Sequence, residues 1–139
     1  MTATPTRPYS VLIADDDPAC RQALKEIIEP EGYRTFLAES GEEALDIVRS
    51  ETVHVVLTDF HLPRISGLDV LKLVHQMRPR LPSILITADA TAEVMRQAFQ
   101  AQAYSVIPKP VSKHVVLYTV VRAIVRVYGP VPAPPPAQP

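Results

Sequence analysis

Five side chains carry the chemistry to accept and hold a transferred group: the carboxylates of Asp15, Asp16 and Asp59, the hydroxyl of Thr87 and the ammonium of Lys109. Each stands at the end of a short apolar run. Asp15 and Asp16 close Ser10-Val11-Leu12-Ile13-Ala14, and Asp59 closes Val53-His54-Val55-Val56-Leu57-Thr58. Thr87 closes Ser83-Ile84-Leu85-Ile86, and Lys109 follows Tyr104-Ser105-Val106-Ile107-Pro108. Taken singly, such residues serve as caps, turns or solvated charges. Taken together they end four strands, and the carboxyl ends of strands in an open parallel sheet share the edge where ligands bind.

Three neighbouring carboxylates repel, and a hard divalent cation relieves that repulsion. Mg²⁺ takes oxygen ligands, keeps several waters and favours phosphate oxygens. The cation and Lys109 can neutralise a phosphoryl group, Thr87 can hydrogen-bond one of its oxygens, and Asp59 can attack phosphorus to give an aspartyl phosphate. Catalysis in such a site is mostly positioning and charge stabilisation.

The elements that must position these residues follow from periodicity. The runs are too short for helices and bounded by turn formers, so they are expected to be buried strands. Tyr33-Arg34-Thr35-Phe36-Leu37 alternates like a further strand. Between the strands lie helical patterns. Asp17 stands as N-cap with Pro18 at the first helical position, and Ala19, Ala23, Leu24, Ile27 and Ile28 form the inward stripe up to Pro30 and Gly32. Ser40-Gly41-Glu42-Glu43 reads as a capping box before Ala44, Leu45, Ile47 and Val48. Leu68–Met77 is a third amphipathic helix, and residues 91–101 a fourth, with Val94, Met95, Ala98 and Phe99 inward. Ser112–Tyr128 is the last helix, with a thin polar stripe of Thr119, Arg122 and Arg126. Strand and helix alternate five times, which predicts an α/β, doubly wound domain with a five-stranded parallel sheet.

A chain of 139 residues makes one domain, and a net charge of −1 gives no general attraction to nucleic acid or anionic membrane. The single cysteine, Cys20, excludes an intrachain disulfide and a cysteine metal cluster; it suits a reducing cytoplasm and is expected to pack in a helix. Residues 1–10 lack the apolar core of a secretory signal, and no apolar run is long enough to span a bilayer. Residues 1–9 are expected to be a disordered leader, 10–128 the domain, and 129–139 a polyproline-like tail or linker, because six of the fifteen prolines lie there.

The residues Val11-Leu12-Ile13-Ala14-Asp15-Asp16-Asp17-Pro18, Leu57-Thr58-Asp59-Phe60-His61-Leu62-Pro63 through Gly67, Ile86-Thr87-Ala88 and Lys109-Pro110 together resemble a response-regulator receiver domain of two-component signalling, the CheY-like superfamily. The resemblance spans roughly 10–128 and implies a (βα)5 flavodoxin-like fold. It makes Asp59 the phosphoacceptor, Asp16 the direct ligand of Mg²⁺ with Asp15 assisting, and the main-chain carbonyl of His61 a further metal contact. Thr87 becomes the switch hydroxyl, Lys109 its ion-pairing companion, and Lys109-Pro110 a cis bond. The phosphoryl donor is then a phosphohistidine on a histidine kinase or histidine phosphotransfer protein, and the domain hydrolyses its own aspartyl phosphate. Ala88, Asp89 and His61 lie where the family modulates the site.

Two departures stand out. Val106 occupies a position where the family often has Tyr or Phe; Tyr104 lies two residues earlier, on the same face by strand parity. Gln102-Ala103 replaces the glycine common before that strand. The family's helix 4, strand 5 and helix 5 surface implies a homodimer or target face, and the apolar last helix suits that reading. No DNA-binding or enzymatic output module is expected, which leaves a stand-alone receiver and a truncated multidomain regulator both open. A haloacid-dehalogenase phosphatase would use Asp15 as nucleophile and Asp17 as acid/base, but it needs a second acidic pair after the lysine, and 110–139 contains no Asp or Glu. A phosphorylation-independent interaction module is the remaining rival.

Overall fold

The computed structural model describes residues 9–130. The expectations for the leader and the Pro-rich tail fall largely on 1–8 and 131–139, outside the described residues. Five strands, β1 (Ser10–Ala14), β2 (Arg34–Ala38), β3 (Val55–Asp59), β4 (Ser83–Thr87) and β5 (Ser105–Pro108), alternate with five helices. These are α1 (Pro18–Ile28), α2 (Gly41–Ser50), α3 (Gly67–Met77), α4 (Ala92–Gln100) and α5 (Lys113–Tyr128). The strands form one parallel sheet in the order β2-β1-β3-β4-β5. Chain order therefore reverses between β1 and β3, the switch point at which doubly wound sheets open a crevice.

Both sheet faces are covered, so β1, β3 and β4 are buried along their whole length. The period of two sends Val11, Ile13, Val55, Leu57, Ile84 and Ile86 to the face packed by α1 and α5. Leu12, Ala14 and Val56 go to the face packed by α2 and α3, and Leu85 meets α3 and α4 there. No helix among the described residues is long and apolar enough to cross a membrane.

Local signals act as expected at several caps. Asp17 accepts the Ala19 N–H at 3.0 Å with Pro18 at the first helical position. Gly32, at φ 94°, provides the left-handed turn out of the 3₁₀ segment Glu29–Glu31.

Four expectations fail. Ala19 and Ala23 are exposed, and α1 buries Leu24 and Ile28 with Cys20 and Ile27 beside them. Larger side chains gain more from burial and set the helix rotation; alanines follow. Phe99 is 53% exposed, because α4 seats its small Ala98 against the sheet and the adjacent position turns outward. Thr119 belongs to the buried side of α5, where its hydroxyl donates to the Val115 carbonyl at 2.7 Å. Tyr104 does not share a face with Val106: it sits on a bend before β5 and packs toward the α1/α5 core, whereas Val106 packs toward Leu85 and Ala98. Strand parity does not extend beyond the end of a strand.

The capping box also differs. Ser40 accepts the Glu43 N–H, but Glu43 accepts from the Glu39 N–H instead of closing the box on Ser40. A reciprocal box does form at Ser66 and Asp69, opening α3 immediately after the functional loop.

Candidate functional site

The register decides which side chains meet. Ala14 lies beside Thr58, Asp59 beside Ile86, and Thr87 beside Pro108. The residues just beyond these pairs, or closing them, are Asp15 and Asp16, Asp59, Thr87 and Lys109. Main-chain hydrogen bonds extend the ladders past the strands. The Asp15 N–H donates to Ala38 at 3.0 Å, the Phe60 N–H to Ile86 at 2.8 Å and the Lys109 N–H to Thr87 at 2.8 Å. The loops carrying the site are therefore held by the sheet.

At the centre, Lys109 Nζ lies 3.0 Å from Asp59 Oδ1 and 3.4 Å from Asp15 Oδ2. Asp15 and Asp59 are buried, while Asp16 is exposed at the mouth. One carboxylate oxygen from each of the three lies within 4.8 Å of the others. Asp15 Oδ1 also accepts the Asp17 N–H at 2.9 Å, which sets its orientation.

The electrostatics are unbalanced: three carboxylates face one ammonium. Burial pushes the Asp59 carboxyl above the usual range, and the nearby Asp15 charge adds to this against the opposing pull of Lys109. Burial works against the Lys109 ammonium, yet its hydrogen bond to Asp59 and the charges of Asp15 and Asp59 hold its pKa well above normal. An ammonium alone leaves the cluster anionic. A hard cation with mixed carboxylate and water ligands fits this donor set: oxygen-only, clustered, and open to solvent at Asp16.

Thr87 is fully buried, and its hydroxyl oxygen accepts the Asp89 N–H at 2.9 Å. Its proton remains available to donate. Ala88 and Asp89 are exposed beyond β4. Asp89 Oδ2 pairs with His61 Nε2 at 3.0 Å, joining the loop after β3 to the loop after β4 across the mouth of the site. The His61 ring also leans on Phe60, with centroids 4.8 Å apart. The Lys109-Pro110 peptide is cis.

Three contributors were not assigned a role in the site from the sequence. Gly67 looked like a turn former; a Cβ there would sit 2.2 Å from the Asp59 carbonyl oxygen, so close backbone approach excludes any side chain. Its own N–H donates to Phe60 at 2.8 Å, closing the loop behind Asp59. Cys20 packs as expected, but beside Asp15: burial first, then the hydrogen bond and charge of Asp15, push its thiol up to about 12, so it stays a neutral donor. Arg21 donates to the Asp15 carbonyl at 2.6 Å and approaches Glu39 at 3.3 Å. The signal for Cys20 and Arg21 was their place in the first turn after Asp17, which faces back to the strand end.

Comparison with known proteins agrees with this geometry. A family model described as the response regulator receiver domain matches residues 11–121. The chain is 32% identical over 118 residues to the sensory/regulatory protein RpfC of Xanthomonas campestris, covering 82% of this chain and 16% of that one. It is 36% identical over 98 residues to the DNA-binding transcriptional regulator NtrC of Klebsiella pneumoniae, covering 70% and 21%. The chain thus spans a minor part of these relatives. The solved receiver domain protein (CheY-like) of Methanospirillum hungatei JF-1 superposes with a TM-score of 0.81 at 30% identity, covering 85% of this chain and 94% of the other.

Proposed function

Because this chain belongs to the response regulator receiver domain family of two-component systems, we propose that Asp59 is its phosphoacceptor and that phosphorylation switches a protein-binding face. The observation that carries the proposal is the convergence of Asp59, Asp15 and Lys109 within hydrogen-bonding distance at the switch point of the sheet. Asp15, Asp16, Asp59 and the His61 carbonyl would hold Mg²⁺, which when bound supplies positive charge beside the phosphoryl oxygens.

The donor is a phosphohistidine of a histidine kinase or histidine phosphotransfer protein. An Asp59 carboxylate oxygen attacks phosphorus; the new P–O bond forms as the P–N bond breaks, and the imidazole leaves with a proton. Lys109 already touches the Asp59 oxygen and neutralises charge as the acyl phosphate forms. Burial helps here, since a desolvated carboxylate is a stronger nucleophile than a hydrated one. Thr87 turns its hydroxyl from the Asp89 N–H toward a phosphoryl oxygen, and that rotation frees the loop after β4. The His61–Asp89 pair ties the same loop to the acceptor strand, so it bears on how readily water reaches the acyl phosphate.

The responding surface is the one formed by α4, β5 and α5. Phe99 is 53% and Tyr118 65% exposed there, and Arg122 lies over the Tyr118 ring at 5.5 Å. Tyr104 borders the same depression. Val106 is too short to alternate between inner and outer positions, and Tyr104, which packs toward the α1/α5 core instead, does not stand in for an aromatic there. A second copy or a target protein docks on this face. The functional unit is 10–128, followed by a Pro-rich tail or linker, and a kinase-derived phosphohistidine as donor supports a cytoplasmic location.

Mass spectrometry after incubation with Mg²⁺ and acetyl phosphate tests the proposal. The wild type gains one phosphoryl group and Asp59→Asn gains none. An unlabelled wild type would instead favour a phosphorylation-independent interaction module.

A further inference from the structure

At the end of the sheet opposite Asp59, a surface depression of 290 Å³ lies between the C-terminal ends of α3 and α5 and the loops entering β4 and β5. Its polar lining consists of His75, Arg80, Gln102, Tyr104 and Arg126, over an apolar floor that includes Leu81. No carboxylate lines it. Among the described residues, the side chains of His75, Gln102, Tyr104 and Arg126 make no hydrogen bond or ion pair, and Arg80 has a single long one, to the Val127 carbonyl at 3.3 Å. Five groups able to donate hydrogen bonds therefore converge without an acceptor of matching charge.

Two guanidinium groups lining one small depression repel each other, and an oxyanion between them removes that repulsion while taking planar hydrogen bonds from both. Arg80 stands on a loop stiffened by Pro79 and Pro82, and Arg126 on a helix, so little side-chain-bearing backbone has to be ordered on binding. We propose that this depression is a second binding site, for a small phosphate- or carboxylate-bearing molecule, separate from the phosphoacceptor site and independent of its chemistry.

The test uses the full chain, isotope-labelled and free of Mg²⁺, titrated with inorganic phosphate, phenyl phosphate and citrate at constant ionic strength. The expected result is saturable amide shift changes at Leu81, Gln102, Tyr104 and Val127 for at least one anion. Binding weakens about tenfold or more in Arg126→Ala and in Arg80→Ala, as for loss of a charge-assisted hydrogen bond, and stays unchanged in Arg49→Ala on α2. The phosphate and citrate arms decide which oxyanion is held. The proposal is overturned if no anion saturates below about 10 mM, if the shifts cluster at Thr87 and Lys109 instead, or if both arginine variants bind as the wild type does while retaining its amide spectrum elsewhere.

Discussion

The two edges of this sheet solve opposite problems. Around Ser10 and His54, where β1 and β3 begin, polar groups are matched. The Ser10 N–H donates to His54 Nδ1 at 3.0 Å, and the Tyr128 hydroxyl donates to the His54 carbonyl at 2.8 Å. Tyr9 and Tyr128 stack at 5.6 Å, and both meet the His54 ring edge-on. This cluster fastens the start of β1 to the end of α5. At the edge where β1 and β3 end, Asp15 and Asp59 share one lysine beside a third carboxylate, Asp16, and burial raises the Asp59 carboxyl. The His54 cluster is matched as it stands, whereas at Asp59 the carboxylates outnumber their one ammonium. Satisfied polar groups rigidify a fold, and unsatisfied ones create a need for a ligand.

The contrast is broken most severely at Asp59. Asp59→Asn abolishes labelling, yet it raises the melting temperature of the metal-free protein, because it removes a buried charge that the fold disfavours. The sign follows from linkage: a carboxyl whose pKa is raised on folding stabilises below its unfolded pKa and loses that contribution as pH rises through the folded value, so at neutral pH the charge is a cost. A drop in melting temperature would contradict this.

Lys109→Ala strikes the same edge from the other side. It leaves Asp15 and Asp59 facing each other and destabilises by about 2–3 kcal/mol, less than for a fully buried pair because Lys109 is 24% exposed. Chemical denaturation with and without Mg²⁺ measures it, and added Mg²⁺ should restore part of the loss. Gly67→Ala comes next: its methyl collides with the Asp59 carbonyl, costing about 2 kcal/mol and slowing labelling by acetyl phosphate. A variant as stable and as quickly labelled as the wild type would show that the loop yields easily.

Smaller effects sharpen the comparison at the opposite edge. Burial holds the His54 pKa below its usual value. The unfolded chain therefore binds a proton before the folded one does, and stability falls as pH drops below about 6.5 toward the folded value. Nδ1, which accepts from Ser10, would become a donor facing a donor. His54→Gln keeps an acceptor and should flatten that slope in denaturation curves taken between pH 7.5 and 5.5 (about two units chosen to bracket the free imidazole pKa). Tyr128→Phe removes one hydrogen bond at a partly exposed site and should cost about 0.5–1 kcal/mol. If its cost matched that of Gly67→Ala, the aromatic cluster would matter more than its exposure indicates.

Local signals made much of this legible. Short β-branched runs cannot be amphipathic helices, and an acid or lysine at the end of a buried run cannot sit inside it, so strands and candidate groups followed from residue order. Errors arose where a side chain's surroundings come from another element. Tyr104 was placed by extending strand parity onto a bend, and Phe99 by a stripe that the small Ala98 overrides.

The sequence by itself determined that five strands alternate with helices and that Asp15, Asp16, Asp59, Thr87 and Lys109 stand at strand ends, because period and punctuation act over a few neighbouring residues. Tertiary structure decided that β1 lies beside β3, which brings Lys109 across 94 positions to within 3.4 Å of Asp15. It also decided that His61 meets Asp89 and that no side chain fits at Gly67. Those facts depend on which strands pair and how closely two backbones approach, and such non-local distances leave no trace in local periodicity.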